Sequence, residues 1–96
     1  MKTDRLPTSP GEILQEEFLR PLGLTQKRLA DHLGCDVKVI NRIVNRRVAV
    51  TPEMEVRLGA AFDTTPGFWL NAQRTMDLFR ARQRVKKLPK RLTRAG

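Results

Sequence analysis

Residues 26–45 read QKRLADHLGCDVKVINRIVN, and this stretch decides the fold. Before the glycine, Leu29 and Leu33 lie one helical turn apart. After it, apolar side chains recur at helical spacing at Ile40, Ile43 and Val44. Gly34 stands where the chain must turn through a left-handed conformation, which costs other residues about 1–2 kcal/mol. Ala30 is small enough to let two steeply crossing helices approach closely. The pattern therefore predicts a helix-turn-helix.

Local signals mark the ends of both motif helices. Thr25 and Asp36 stand directly before them and can cap their free amides. Asn45 tolerates a left-handed conformation, so we expect the second helix to end there. The alternative is an ordinary helical hairpin inside a small bundle. The apolar positions in phase after Gly34 favour the helix-turn-helix.

Similar helix start signals predict three more helices. Ser9-Pro10-Gly11-Glu12 is a capping box that begins a first helix, whose apolar stripe ends at Pro21. Thr51-Pro52-Glu53 begins a fourth, and Thr65-Pro66 precedes a fifth over residues 67–79. No run alternates between polar and apolar residues as a strand does. We expect an all-α fold of five helices.

The length and charge of the chain limit its number of domains and the class of partner that it can bind. A chain of 96 residues allows one domain, and 19 Lys and Arg against 10 Asp and Glu give a net charge of +9. This balance suits a polyanionic partner such as nucleic acid. The single cysteine cannot form an internal disulfide, and no apolar run has the roughly 18 residues of a membrane span. We therefore expect a cytoplasmic protein.

The ends of the chain differ from its centre. Residues 1–8 are polar and lack periodicity, so we expect a flexible N-terminal arm. Residues 9–80 should form the domain, and residues 81–96 a basic extension. From Arg80 to Arg94 the chain carries 8 basic residues and no acidic one. Two interpretations stay open for this segment: an arm on DNA phosphates, or a solvated tail.

The fifth helix has more apolar side chains than one stripe can bury. We expect Phe68 and Trp69 to complete the core of the monomer. For Met76, Leu78 and Phe79 we predict a homodimer contact. A monomer of this size reads few bases, so dimeric binding to an inverted repeat, with half-sites about 34–36 Å apart, is the natural geometry.

In a helix-turn-helix the second helix buries one side and turns the other towards the major groove. The outward side gives the predicted base contacts: Val37, Lys38, Asn41, Arg42 and Asn45. Arg42 can grip guanine in a fork, Lys38 can donate to guanine or phosphate, and Asn41 can pair with adenine. Val37 can press on a thymine methyl. The predicted phosphate contacts are Gln26, Arg46 and Arg47.

Enzyme chemistry is not expected. His32 is the only histidine, and no second histidine or carboxylate pair accompanies it in sequence. Cys35 lies in the turn, where it is more typical of a half-buried filler than of a nucleophile. There is no metal-ligand spacing and no glycine-rich phosphate loop. We predict no catalytic residue, no metal and no cofactor.

Beyond these patterns, the chain resembles the HigA antitoxins, the Xre-type regulators of toxin-antitoxin modules. The matching stretches are Ser9-Pro10-Gly11-Glu12-Ile13-Leu14, Leu22-Gly23-Leu24-Thr25-Gln26, Val50-Thr51-Pro52 and, above all, Pro66-Gly67-Phe68-Trp69-Leu70-Asn71-Ala72-Gln73. The resemblance implies a phage-repressor-like fold and an antitoxin that neutralises a HigB-type ribonuclease toxin. It also implies a homodimer that represses its own operon.

The chain departs from that family at two places in the motif. Arg46 stands where the family usually has glycine, and Val37-Lys38 stands where it has an Arg-Gln pair. The second departure means that the operator sequence cannot be carried over. The alternative function is a stand-alone Xre-type regulator with no toxin partner, which shares every DNA-binding feature.

Overall fold

The computed structural model describes residues 7–93, which contain five helices. Helix α1 begins with Pro10–Ile13, widens into the π-helical turns of Leu14–Leu19 and finishes with Arg20–Leu22. The others are α2 (Gln26–Leu33), α3 (Val37–Val44), α4 (Pro52–Phe62) and α5 (Phe68–Arg84). The all-α prediction is confirmed. Most of the expected N-terminal arm, residues 1–6, lies outside the described residues.

Helix α1 runs past Pro21, where we expected it to end. Proline lacks an N–H, and its ring clashes with the carbonyl four residues earlier in an α-helix. Here the turn before it is wider, because the N–H of Arg20 donates to the carbonyl of Gln15, five residues back. The helix therefore accommodates Pro21 and stops at Gly23, whose φ is 65°.

Most of the predicted caps are confirmed. Side-chain oxygens accept backbone N–H groups at distances of 2.8–3.2 Å at Ser9, Thr25, Asp36 and Thr51. Gly34 adopts the left-handed conformation, with φ at 76°, and Cys35 N–H donates to the carbonyl of Ala30 at 3.0 Å. These bonds close the sharp turn between α2 and α3.

The last helix, predicted over residues 67–79 after Thr65-Pro66, starts one residue later than expected and extends further. Helix α5 begins at Phe68, and no side chain of its own segment caps it. Glu55, on α4, does so instead: its carboxylate accepts the N–H of Gly67 at 3.0 Å and that of Leu70 at 2.9 Å. A carboxylate at this position also complements the helix dipole. The contact ties α4 to α5.

The core lies where α1, α4 and α5 close over the helix-turn-helix. Its fully buried side chains include Leu14, Leu19, Leu29, Ile40, Leu58 and Trp69. Trp69 is in the monomer core, as expected, and its indole N–H donates to the Thr64 hydroxyl at 3.0 Å. Phe18 packs against Phe62, with ring centroids 4.6 Å apart. This core fixes α3 against the rest of the molecule.

Candidate nucleic-acid interface

Helix α3 has one buried side and one solvent side. Ile40 and Ile43 are 0% and 3% exposed and pack into the core. The opposite side exposes four of the five predicted base-reading residues, namely Lys38, Asn41, Arg42 and Asn45. Val37 is half-buried and packs against the core, so only part of its side chain faces solvent. The helix therefore presents a polar, cationic face of the kind that enters a major groove.

A chain of amide hydrogen bonds crosses this face. Asn41 Nδ2 donates to Gln26 Oε1, on α2, at 3.2 Å. Asn45 Nδ2 donates to Asn41 Oδ1 at 3.2 Å and to the Asn41 carbonyl at 3.0 Å. The predicted phosphate contact at Gln26 is thus joined to the predicted adenine contact at Asn41. Because its partners hold it, the Asn41 amide is oriented before any ligand arrives.

The two cations on the same face are not engaged in this way. Within residues 7–93, the side chains of Lys38 and Arg42 make neither a hydrogen bond nor an ion pair. Both are exposed. Their donors are therefore available to an external acceptor, beside the fixed amide chain.

Helix α3 ends at Val44 with Asn45 as its C-cap, close to the expected end, but the left-handed residue is not the expected one. Asn45 is not left-handed, since its φ is −90°; the left-handed residue is Arg46, with φ at 58°. Arg46 N–H donates to the Ile43 carbonyl at 3.1 Å, and Arg47 N–H donates to the Arg42 carbonyl at 2.8 Å. This pair of bonds defines a Schellman ending, which normally places glycine at the left-handed position. The chain has an arginine there.

Gln73 and Gly11, for which the sequence predicted no role, hold the end of α3 in place. Gln73 Oε1, on α5, accepts the N–H of Val50 at 3.1 Å and so anchors the loop that follows α3. Gly11, on α1, is buried, and a Cβ added to it would lie 2.8 Å from the Val44 Cα and closer still to the Ile43 carbonyl oxygen. Gln73 belongs to the segment that resembles the HigA antitoxins, which was its signal. Gly11 also lies in a stretch that resembles those antitoxins, but no local pattern showed that it packs against α3.

These contacts leave a cavity of about 210 Å³ between α1, the end of α3 and α5. Three cationic side chains reach its walls, Arg46 and Arg47 after α3 and Arg80 on α5. Asp77 is the only acidic residue among those that line it. The positive charge at the end of α3 therefore continues onto α5.

Comparison with known proteins identifies the family. A helix-turn-helix family model matches residues 15–69. Antitoxin HigA-1 of Vibrio cholerae is 42% identical over 83 residues, which cover 86% of this chain and 78% of the relative. The chain belongs to the helix-turn-helix family of the HigA antitoxins.

Other known proteins are similar to this chain in sequence or in structure. A Haemophilus influenzae protein named an uncharacterized HTH-type transcriptional regulator is 52% identical over 75 residues, 78% of this chain and 70% of the relative. The solved structure of antitoxin GraA in complex with its operator superposes with a TM-score of 0.82 at 36% identity. It covers 97% of this chain and 99% of that one.

The residues predicted to form a dimer contact do not share one environment. Met76 is 2% exposed and buried within the monomer, so its prediction as a surface contact is wrong. It lies on the side of α5 that faces α1 and the end of α3, beside Gly11 and Ile43. Leu78 is 48% exposed, and Phe79 is half-buried. Of these three residues of this HigA family member, only Leu78 and Phe79 present apolar surface.

Chemically reactive side chains are sparse in the described part of the chain. No group of His, Cys, Asp or Glu in residues 7–93 could hold a metal ion. His32 is exposed, and Cys35 is half-buried in the turn. Burial raises the pKa of the Cys35 thiol; the Arg57 guanidinium opposes this rise and the Asp36 carboxylate adds to it. Among the described helices, none is both long and apolar enough to span a membrane.

Proposed function

We propose that the chain is the antitoxin of a type II toxin-antitoxin module. In this function it binds the operator of its own operon as a homodimer, represses transcription and neutralises a HigB-like ribonuclease toxin. The observation that carries the DNA-binding part is the solvent face of α3, where Lys38 and Arg42 lie free beside an oriented Asn41 amide. Sequence similarity to HigA-1 and structural similarity to an operator-bound antitoxin support the proposed repression and toxin neutralisation.

The base contacts follow from the chemistry of that face. The Arg42 guanidinium can donate two hydrogen bonds, to O6 and N7 of guanine, and the Lys38 ammonium can donate to guanine or to phosphate. Asn41 and Asn45 offer amides to adenine, and Val37 offers its exposed part to a thymine methyl. Each good bidentate pair contributes about 1–3 kcal/mol of discrimination. Lys38 and Arg42 carry most of it, because no intramolecular bond has to break before they bind.

The phosphate contacts lie at both edges of the same face. Gln26 is at the first turn of α2, whose free N–H groups attract an anion. Arg46 and Arg47 are exposed just beyond the last turn of α3. These contacts position the helix on the duplex but do not read its sequence.

The decisive experiment is a titration of the purified chain against its own upstream promoter DNA and against scrambled DNA of equal length. Fluorescence anisotropy at two salt concentrations measures both affinities. We expect tight, promoter-selective binding that survives the higher salt. Binding that ignores sequence and vanishes with salt contradicts the proposal, because it would come from net charge alone.

A pair of variants separates base reading from phosphate binding. Arg42→Ala should relax selectivity at one operator position, whereas Arg47→Ala should weaken all sequences equally and lower the salt slope by about 1. Uniform weakening by Arg42→Ala would reassign that residue to the phosphate backbone.

The homodimer part rests on Leu78 and Phe79, the apolar surface near the end of α5. Leu78→Glu should give monomers in analytical ultracentrifugation and weaken operator binding, because two half-sites are then no longer read together. The matched control is Val56→Glu, which changes another exposed apolar residue on a different helix. A Leu78→Glu protein that stays dimeric would exclude this contact.

The toxin part is tested by co-expression with the neighbouring reading frame. We expect a small ribonuclease that arrests growth alone and copurifies with this chain. A stand-alone transcriptional regulator is the second candidate, favoured by the 52% identical Haemophilus influenzae protein that is named a regulator and not an antitoxin. Promoter-selective binding without a copurifying neighbour would decide for it.

A further inference from the structure

The C-terminal arm, here residues 80–93, is the most strongly charged segment of the described chain. Its basic residues are Arg80, Arg82, Arg84, Lys86, Lys87, Lys90 and Arg91, and it has no acidic residue. Helix α5 ends at Arg84, and residues 82–93 are all exposed. The ion pairs within residues 7–93 involve α1 and α2 and none of these cations. The arm therefore carries an uncompensated charge that an external polyanion can meet.

The arm starts beside the DNA-facing end of α3. Gln73 holds the loop after α3, and Asp77 and Arg80, one and two turns further along α5, line the same cavity as Arg46 and Arg47. Positions 73, 77, 80 and 84 repeat at helical spacing, so Arg84 extends this side of α5. Positive charge thus runs from the end of α3 along α5 into the arm.

The non-helical part of the arm is long enough to follow a DNA strand. Residues 85–93 have no regular structure, and an extended chain of this length spans about 30 Å at ~3.3 Å per residue. Closely spaced like charges also keep such a segment extended. B-DNA carries one negative charge per about 1.7 Å of its axis, so several phosphates lie within reach. Residues 85–93 are not helical, so their exposed Val85, Leu88 and Leu92 do not form the apolar helical face that a membrane-binding segment needs.

We propose that the C-terminal arm is a second DNA contact, which lies along the sugar-phosphate backbone next to the end of α3 and adds affinity without reading sequence. This inference rests on the proposed function, because it assumes that α3 faces the duplex. The arm binds through phosphates alone. It therefore strengthens promoter and scrambled DNA equally and makes both affinities more salt-dependent.

The test compares full-length variants in the titration described above, repeated over a salt series. Each phosphate contact that is lost lowers the slope of log K against log salt by about 0.9. Lys86→Gln/Lys87→Gln should lower the slope by up to about 1.8 per protomer, and adding Lys90→Gln/Arg91→Gln by up to about 3.6. The ratio of promoter to scrambled affinity should stay unchanged.

A matched control separates contact from net charge. Val56→Glu/Ala60→Glu also lowers the net charge by two, here by adding two negative charges at exposed positions around a cavity that contains none of the predicted DNA contacts. Its slope should equal that of the unchanged chain. Thermal unfolding of the arm variants should also be unchanged, because they lie beyond the last helix.

Three outcomes would overturn the inference. The quadruple variant could keep the full slope, the control could lose as much slope as the arm pair, or the arm variant could lose affinity only for single-stranded RNA of equal length. The last outcome would make the arm an RNA surface. If the unchanged chain does not select its promoter, the proposed function fails, whatever the arm does. If it selects the promoter and the arm variants keep its slope, only the arm inference fails.

Discussion

Replacing Arg46 with glycine should stabilise the fold and weaken DNA binding at the same time. Arg46 has φ at 58°, in the left-handed region, where a residue with a Cβ costs about 1–2 kcal/mol. Glycine removes that cost. It also gives the unfolded chain more conformational freedom, which lowers the stability of the fold by about 0.4–1 kcal/mol. The expected net gain is about 0.5–1 kcal/mol, a rise of roughly 2–8 °C in Tm for a domain of this size.

The loss of binding comes from the charge, so a second substitution separates the two effects. Arg46→Ala also removes the guanidinium but keeps a Cβ at the left-handed position, so it should gain no stability. Both variants should lower the salt slope of operator binding by about 1 per protomer. Urea unfolding with an unchanged m-value measures the first effect, and anisotropy measures the second.

Two results would contradict this account of Arg46. If Arg46→Gly is no more stable than Arg46→Ala, the left-handed backbone carries no strain. If the salt slope stays unchanged in both, Arg46 does not touch phosphate and the strained arginine has another cause. The departure from the glycine of the HigA family would then need another explanation.

Other contacts give equally direct expectations. Glu55→Gln should cost about 1–3 kcal/mol in urea unfolding, because its NH₂ group would face an N–H donor and leave one buried amide unsatisfied. Gly11→Ala should lower Tm, at about 1–3 kcal/mol of overpacking against α3, whereas the control Gly59→Ala, whose Cβ would meet nothing closer than 3.6 Å, should raise it. The Cys35 thiol should react with iodoacetamide at a higher pH midpoint than a free thiol, because its pKa is raised by burial. The same shift means that its contribution to stability is full below about pH 8.5 and is lost as the pH rises through its folded pKa.

The features that the sequence predicted are local. A cap and the amide it satisfies lie within three residues, and a left-handed turn needs only its glycine, so Ser9, Thr25 and Gly34 were identified without a structure. The outward face of α3 followed in the same way, because burial of Ile40 and Ile43 fixes which side remains.

The features that it missed depend on residues far apart in the chain. Glu55 caps a helix that starts 13 positions later, and Gln73 binds a backbone amide 23 positions earlier. Met76 was predicted as a surface residue because the periodicity of α5 alone does not tell which of its sides meets α1 and α3. Asn45 has the higher propensity for the left-handed conformation. The hydrogen bonds that end α3 instead placed that conformation at Arg46.

Helix α5 joins stability and binding in one rigid element. Its first half is fixed by Glu55 and Trp69, and through Gln73 it positions the loop after α3. Its second half presents Leu78 and leads into the C-terminal arm. In a dimer formed through Leu78, α5 and the hydrogen bond from Val50 N–H to Gln73 would therefore fix the distance between the two α3 helices. Loosening that bond with Gln73→Ala should leave the dimer intact yet reduce promoter selectivity, because each α3 would keep its cations and lose its fixed orientation.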